Sequence, residues 1–166
     1  MEKSESKTKP GEHALNITRV FDAPLEKVWR AWTEPEEMKR WYGPKDYTAP
    51  VCEVDLRVGG KMLACMRSPE GTDFWSTGTY LEIVPFSRLV CTDSFADEVG
   101  RVVPASHYGM EEDFPLELLV TVNFEDLGSG RSRFNIHHVG FSSAEMAEMT
   151  AAGWNESFDK LAASLT

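Results

Sequence analysis

The sequence predicts an α+β fold: a curved antiparallel β-sheet wrapped around one long carboxyl-terminal helix, with two short helices after the first strand. Three observations predict it. From Cys52 to Val139, apolar residues recur at every second position in successive runs. The runs are separated by tight-turn signals at Gly59-Gly60, Glu70-Gly71, "VPFS" and "LGSG", and strands joined so briefly pair antiparallel. At the carboxyl end the period changes to that of a helix, with an apolar stripe that needs a sheet face to cover it.

Taken in order, "ALNITRVFD" (residues 14–22) reads as a first strand, with Leu15, Ile17 and Phe21 on one side. Arg19 shares their parity and leaves the facing of this strand open. "DAPLEKVWRAWT" opens a helix, with Pro24 suited to the first helical position and Leu25, Val28, Trp29 and Trp32 on its buried face. Glu26 and Arg30 are spaced to pair on the exposed face. "TEPEEM" begins a second short helix, where Thr33 and Glu36 form the pattern of a capping box and Gly43-Pro44 marks the stop. Cys52, Val54, Leu56 and Val58 then alternate with charged residues, and residues 73–84 and 88–96 make two further strands. In "LELLVTVNFE", Leu116, Leu118, Val120, Val122 and Phe124 face in, and "RSRFNIHHV" is the returning strand. The last helix runs from Ser142 to Leu165, with Ser142 and Glu145 as its capping box. Met146, Met149, Trp154, Phe158, Leu161 and Leu165 form its stripe. This is a helix-grip arrangement, with residues 97–115 as its one long irregular connection.

At 166 residues the chain reads as a flexible tail (residues 1–12) and a single domain (residues 13–166) large enough to bury a core. No apolar run approaches a membrane span, and "MEKSESKTKPGE" has no signal-peptide h-region, so the expected location is cytoplasmic. The formal charge of −10 argues against a nucleic-acid partner, because phosphate binding wants clustered Lys and Arg. Half of the excess lies between Asp93 and Asp113, six acids against Arg101, which reads as a solvated acidic stretch. Cys52, Cys65 and Cys91 are widely spaced and fit reduced thiols.

No nucleophile elbow, HExxH, P-loop or dinucleotide fingerprint occurs, and Ser132 in "GRSRF" lacks the elbow glycines. His137 and His138 are adjacent on a strand and point to opposite faces, so they cannot chelate one ion. The cysteines with His138 lack zinc-type spacing. No metal and no cofactor are expected.

"RVFDAPLEKVWRAWTEPEEMKRWYGP", "VGGK", "GTYLEIVP", "TVNFED" and "GWNESFDKLAASL" resemble the SRPBCC (START-like) superfamily, and more narrowly its branch named after the activator of the Hsp-90 ATPase. "DSFADEVGRVVPASHYGM" is similar to a small-protein subgroup of that branch. The resemblance spans about residues 14–165 and implies a deep apolar cavity between the sheet and the last helix. It also implies a chaperone partner and a stress-response setting. The name-giving co-chaperone carries a separate amino-terminal domain, whereas about twelve residues precede the first strand here. Chaperone stimulation is therefore not expected to carry over. A homodimer is a further candidate assembly.

The expected function is binding of a small hydrophobic or aromatic ligand in that cavity. The alternatives are a co-chaperone-like interaction protein and a cyclase- or dehydratase-type enzyme using Asp93, His107 or His138 as acid–base groups. Asp93 is in register with Leu89, Cys91 and Phe95, and His138 with Phe134 and Ile136, which places ionisable groups at an apolar wall. Trp41 and Tyr42 sit where the related fold has its cavity mouth. Tyr80 and Phe95 are further wall candidates on their strands. His107, Tyr108 and Met110 belong to the long connection, expected to act as a lid hinged at Gly109. Trp154 and Phe158 share the face of the last helix that meets the sheet, and an enclosed cavity is expected beneath them.

Overall fold

The computed structural model describes residues 11–165. The expected flexible tail, residues 1–12, lies outside the described residues except for Gly11 and Glu12. Strand β1 (His13–Phe21) leads through helix α1 (Leu25–Thr33) and helix α2 (Pro35–Met38) to β2 (Thr48–Val54). Strands β3 (Lys61–Arg67), β4 (Asp73–Val84), β5 (Arg88–Ala96), β6 (Leu118–Gly128) and β7 (Arg131–Phe141) follow as a meander. Helix α3 (Ala144–Ser164) closes the fold. The seven strands form one antiparallel sheet in the order β1-β7-β6-β5-β4-β3-β2, so α1 and α2 carry the chain from one edge to the other.

Several expected details are corrected by the packing. Strand β2 ends at Val54, leaving Leu56 and Val58 exposed in the turn, where Arg57 folds back onto Asp55. The alternation continues beyond the strand because period-2 polarity says nothing about where pairing stops. Pro50 lies in β2, at a register shift on the sheet edge where a missing N–H costs no ladder bond. Strand β6 starts at Leu118, and Leu116 is exposed. Pro24 is the N-cap residue of α1, one position before its first turn. Helix α2 has no side-chain cap: Glu34 occupies its N-cap, and Thr33 Oγ1 instead donates back to the Trp29 carbonyl. The N-cap of α3 is Ser143, whose Oγ accepts from Met146 N, while Ser142 Oγ donates to the Asp113 carbonyl. Met149 is exposed and outside the buried stripe, which runs through Ala147, Ser157, Phe158 and Leu161.

Arg19 is resolved by the same packing. Its stem follows the inward parity of Leu15 and Phe21, its guanidinium lies 6.0 Å from the Phe158 ring centre, and Nη2 donates to Asp159 Oδ1 at 2.8 Å. A long cationic side chain can cover apolar surface while its head stays paired.

The core is dominated by aromatic rings. Trp32 is the hub, with ring centres 5.0 Å from Trp41, 5.4 Å from Phe134, 5.9 Å from Trp154 and 6.0 Å from Phe158. Trp29 meets Phe124 edge-on at 5.2 Å. These rings fill the space beneath β6 and β7, and they push any vacancy toward the β3–β5 side of α3. Buried Ser132 is structural: its Oγ donates to the Ala23 carbonyl at 2.7 Å, tying β7 to the start of α1.

Candidate functional site

A cavity of about 510 Å³ lies between β3–β5, the first four turns of α3 and the segment around Met110–Phe114, and it is open on one side. Its wall is mainly apolar, from Met66, Phe95, Phe114, Leu118, Met146 and Trp154. This is not the enclosed space expected beneath both Trp154 and Phe158. Phe158 is fully buried, covered by Trp32, Trp41 and Phe134, whereas Trp154 one turn earlier stays partly exposed on the cavity wall.

The polar end of the cavity is made by three strands and the helix. His138 on β7 is 2% exposed. Trp154 Nε1–H donates to its Nδ1 at 3.0 Å, which puts the ring proton of the neutral imidazole on Nε2. That Nε2 lies 3.0 Å from Asp93 Oδ2 but off the line of a hydrogen bond, so the buried donor has no aligned acceptor. The approach is a diagonal one. Asp93 pairs with Leu118 across β5–β6, and His138 pairs with Val120 across β6–β7, one row away. Gly140, near the end of the same strand as His138, has φ +120°, a backbone that side-chain-bearing residues rarely adopt.

Tyr42 and Ser76 complete the polar group, with their hydroxyls 3.3 Å apart. Burial, and after it the Asp93 carboxylate, push the Tyr42 phenol above its ordinary value. The same two causes push the Cys91 thiol up to about 12. Burial likewise raises Cys52 and Cys65 to about 11. No cluster of three or more His, Cys, Asp or Glu side chains able to hold a metal occurs among the described residues. His137 faces away from His138 and contacts Asn16.

Of the side chains singled out from the sequence, Tyr42, Asp93, Phe95, Met110, His138 and Trp154 lie on this cavity wall. Trp41 does not. It is 1% exposed, and its Nε1 donates to the Ala31 carbonyl at 2.9 Å, so it belongs to the core. Tyr80 is buried in the same core, and burial raises its phenol. His107 is exposed, with its ring against Tyr108. Tyr108 is a strap: its ring packs between Phe74 and Phe95, and its hydroxyl donates to the Ala96 carbonyl and accepts from Trp75 N. Gly109, at φ +78°, ends the short 3-10 turn Ala105–Tyr108.

The sequence reading passed over Met66, Ser76, Ser94, Phe114 and the small helix residue Ser157. Buried Ser76 carried a signal, being small and polar at a position paired with the inward Phe95 on the neighbouring strand. Gly153 lies against Pro44 at the mouth, where an added Cβ would be 3.7 Å from Pro44 Cγ. Lys160 holds that mouth segment to α3, its Nζ donating to the carbonyls of Pro44 and Tyr47.

The fold and sequence have known relatives. A solved protein of Chromobacterium violaceum shares 29% identity at a TM-score of 0.75, over 92% of this chain and 96% of that one. One from Arthrobacter aurescens shares 32% identity at a TM-score of 0.74, over 92% and 85% of the two chains. The AHSA1 protein of Silicibacter pomeroyi, at 22% identity and a TM-score of 0.74, has the same fold over 92% and 97%. No curated protein matches the sequence. The family model described as "Activator of Hsp90 ATPase homolog 1-like protein" matches residues 22–166, and the chain belongs to that family.

Proposed function

We propose that this protein binds a small hydrophobic or aromatic molecule in the cavity beside α3, holding it by apolar contact and orienting it through a polar end. The observation that carries this reading is the joining of an apolar cavity of about 510 Å³ to a polar Asp93–His138–Trp154 cluster centred on the buried His138 ring. The volume is that of ordinary small-molecule sites, which pair apolar walls with a few convergent polar groups. The family and its fold suggest ligand binding, and the family name adds a chaperone-related association as a separate reading. Among the described residues no helix is long and apolar enough to cross a membrane. Native mass spectrometry of the protein purified from its host tests the proposal. A small molecule released on denaturation is the expected result. Its absence, together with no binding from a broad apolar library, would overturn the reading.

One observation favours a second reading, an acid–base enzyme of cyclase or dehydratase type. Asp93 and His138 are 3.0 Å apart on the cavity wall, within reach of one bound molecule. Asp93→Asn and His138→Gln separate the two. Weaker binding with no turnover in any variant supports a carrier, whereas lost turnover at unchanged affinity supports the enzyme.

A further inference from the structure

The charge on the cavity wall is one-sided. Asp93 lies at the inner polar end, and Glu111 and Glu145 stand exposed at the rim, while no lysine or arginine is on the wall among the described residues. The Asp93 side chain is 32% exposed and, among the described residues, has no cationic partner besides the His138 ring, which bears a charge only when protonated. Beside it is the second feature, the Nε2–H of the 2%-exposed His138, buried on the cavity wall without an aligned acceptor. Its other nitrogen is already occupied by Trp154. The inner end thus offers one anionic acceptor with spare lone pairs next to one unused donor.

Resting on the ligand-binding reading above, we propose that the cavity selects amines. The ligand would have an apolar body and one protonated nitrogen that docks on Asp93, with an oxygen near that nitrogen facing His138 Nε2–H. A charge-assisted hydrogen bond in a partly desolvated cavity is stronger than a neutral one, and opposite charges gain from the low local dielectric. A carboxylic acid or phosphate would meet Asp93 with no cation on the wall to offset the repulsion. The Asp93 charge adds to burial in raising the Tyr42 phenol on the wall and the Cys91 thiol two residues before it on β5. The apolar remainder, Met66, Phe95, Phe114, Leu118 and Trp154, accepts the body.

Phenylbutylamine, phenylbutanol and phenylbutyric acid share one body and differ in the charge of the head. Their binding to the full chain at neutral pH is measured by displacement of Nile red, a neutral apolar dye. The amine should bind about tenfold tighter than the alcohol, with the acid weakest. Asp93→Asn should bring the amine to within about threefold of the alcohol. An acid that binds as tightly as the amine, or an amine preference that survives Asp93→Asn, overturns the proposal. If Nile red binds and the heads are not distinguished, amine selection fails while the cavity reading stands. If neither dye nor probe binds, both fail. The wild-type ranking requires no variant, so it decides the question even if Asp93→Asn is unstable.

Discussion

The indole N–H of Trp154 on α3 donates to Nδ1 of His138 on β7 over 3.0 Å. This single bond does two things. It joins the last helix to the sheet at the inner end of the cavity, and it fixes which edge of the imidazole faces Asp93.

Trp154→Phe keeps most of the ring packing against Phe158 and removes the donor. The buried imidazole acceptor then has no partner, and a loss of about 1–2 kcal/mol in unfolding free energy is expected from urea titration. Nitrogen-15 NMR of the His138 ring should show one tautomer in the wild type and a mixture in the variant. Unchanged stability with an unchanged tautomer would show that the bond is not formed in solution.

The long connection has two parts, one tied to β4 and β5 through Tyr108 and one that runs along the cavity, tied at Asp113 to Ser142 Oγ. Asp97 accepts from the backbone of Val99 and Arg101, and the Tyr108 hydroxyl ties the 3-10 turn to β4 and β5. Met110, Glu111 and Phe114 lie on the cavity wall beyond that anchor. Hydrogen exchange should be slow at the Trp75 amide and fast across residues 109–117, slowing there when ligand is added. Tyr108→Phe should speed exchange at Trp75 and destabilise by about 1–2 kcal/mol. Strong protection of residues 109–117 in the free protein would refute a lid.

Lys160 bridges the carbonyls of Pro44 and Tyr47, while Glu156 accepts from Lys45 N. Burial lowers the Lys160 ammonium, with Asp46 and Glu156 opposing the shift. Lys160→Met keeps the stem and removes the clamp. The expected outcome is faster ligand release in stopped-flow and faster exchange over residues 43–47, with about 1 kcal/mol of stability lost. Release at the wild-type rate would mean that the mouth segment is held by other contacts.

Cys91 gives a pH dependence of defined sign. Its thiol rises from an ordinary 9.0 to about 12 in the folded protein, so between those values the folded state holds a proton that the unfolded state has lost. Its contribution to stability is full below pH 9.0 and is lost as the pH climbs toward 12. Urea midpoints should fall above pH 9.0, and Cys91→Ala should flatten that fall relative to the wild type. Parallel pH curves for the two proteins would contradict the shift.

The sequence by itself determined the succession of elements. Strands β4 and β5 lie at residues 73–84 and 88–96 as their alternation indicates, because facing and turn formation are local properties of residue type and spacing. Both histidines at 137–138 also took the opposed faces that strand geometry requires. Tertiary structure decided which inward residues meet empty space. Trp154 and Phe158 share one helical face, and Trp41 and Tyr42 are adjacent, yet one of each pair reaches the cavity and the other is closed over by the ring cluster around Trp32. Whether Leu56 or Leu116 is covered, and whether Ser142 or Ser143 caps α3, depended likewise on what lies against them. The Asp93–His138 approach is a diagonal across β6, set by strand register, between residues 45 positions apart. A local pattern specifies the face a side chain takes, but the partner that fills or leaves that face open comes from distant parts of the chain.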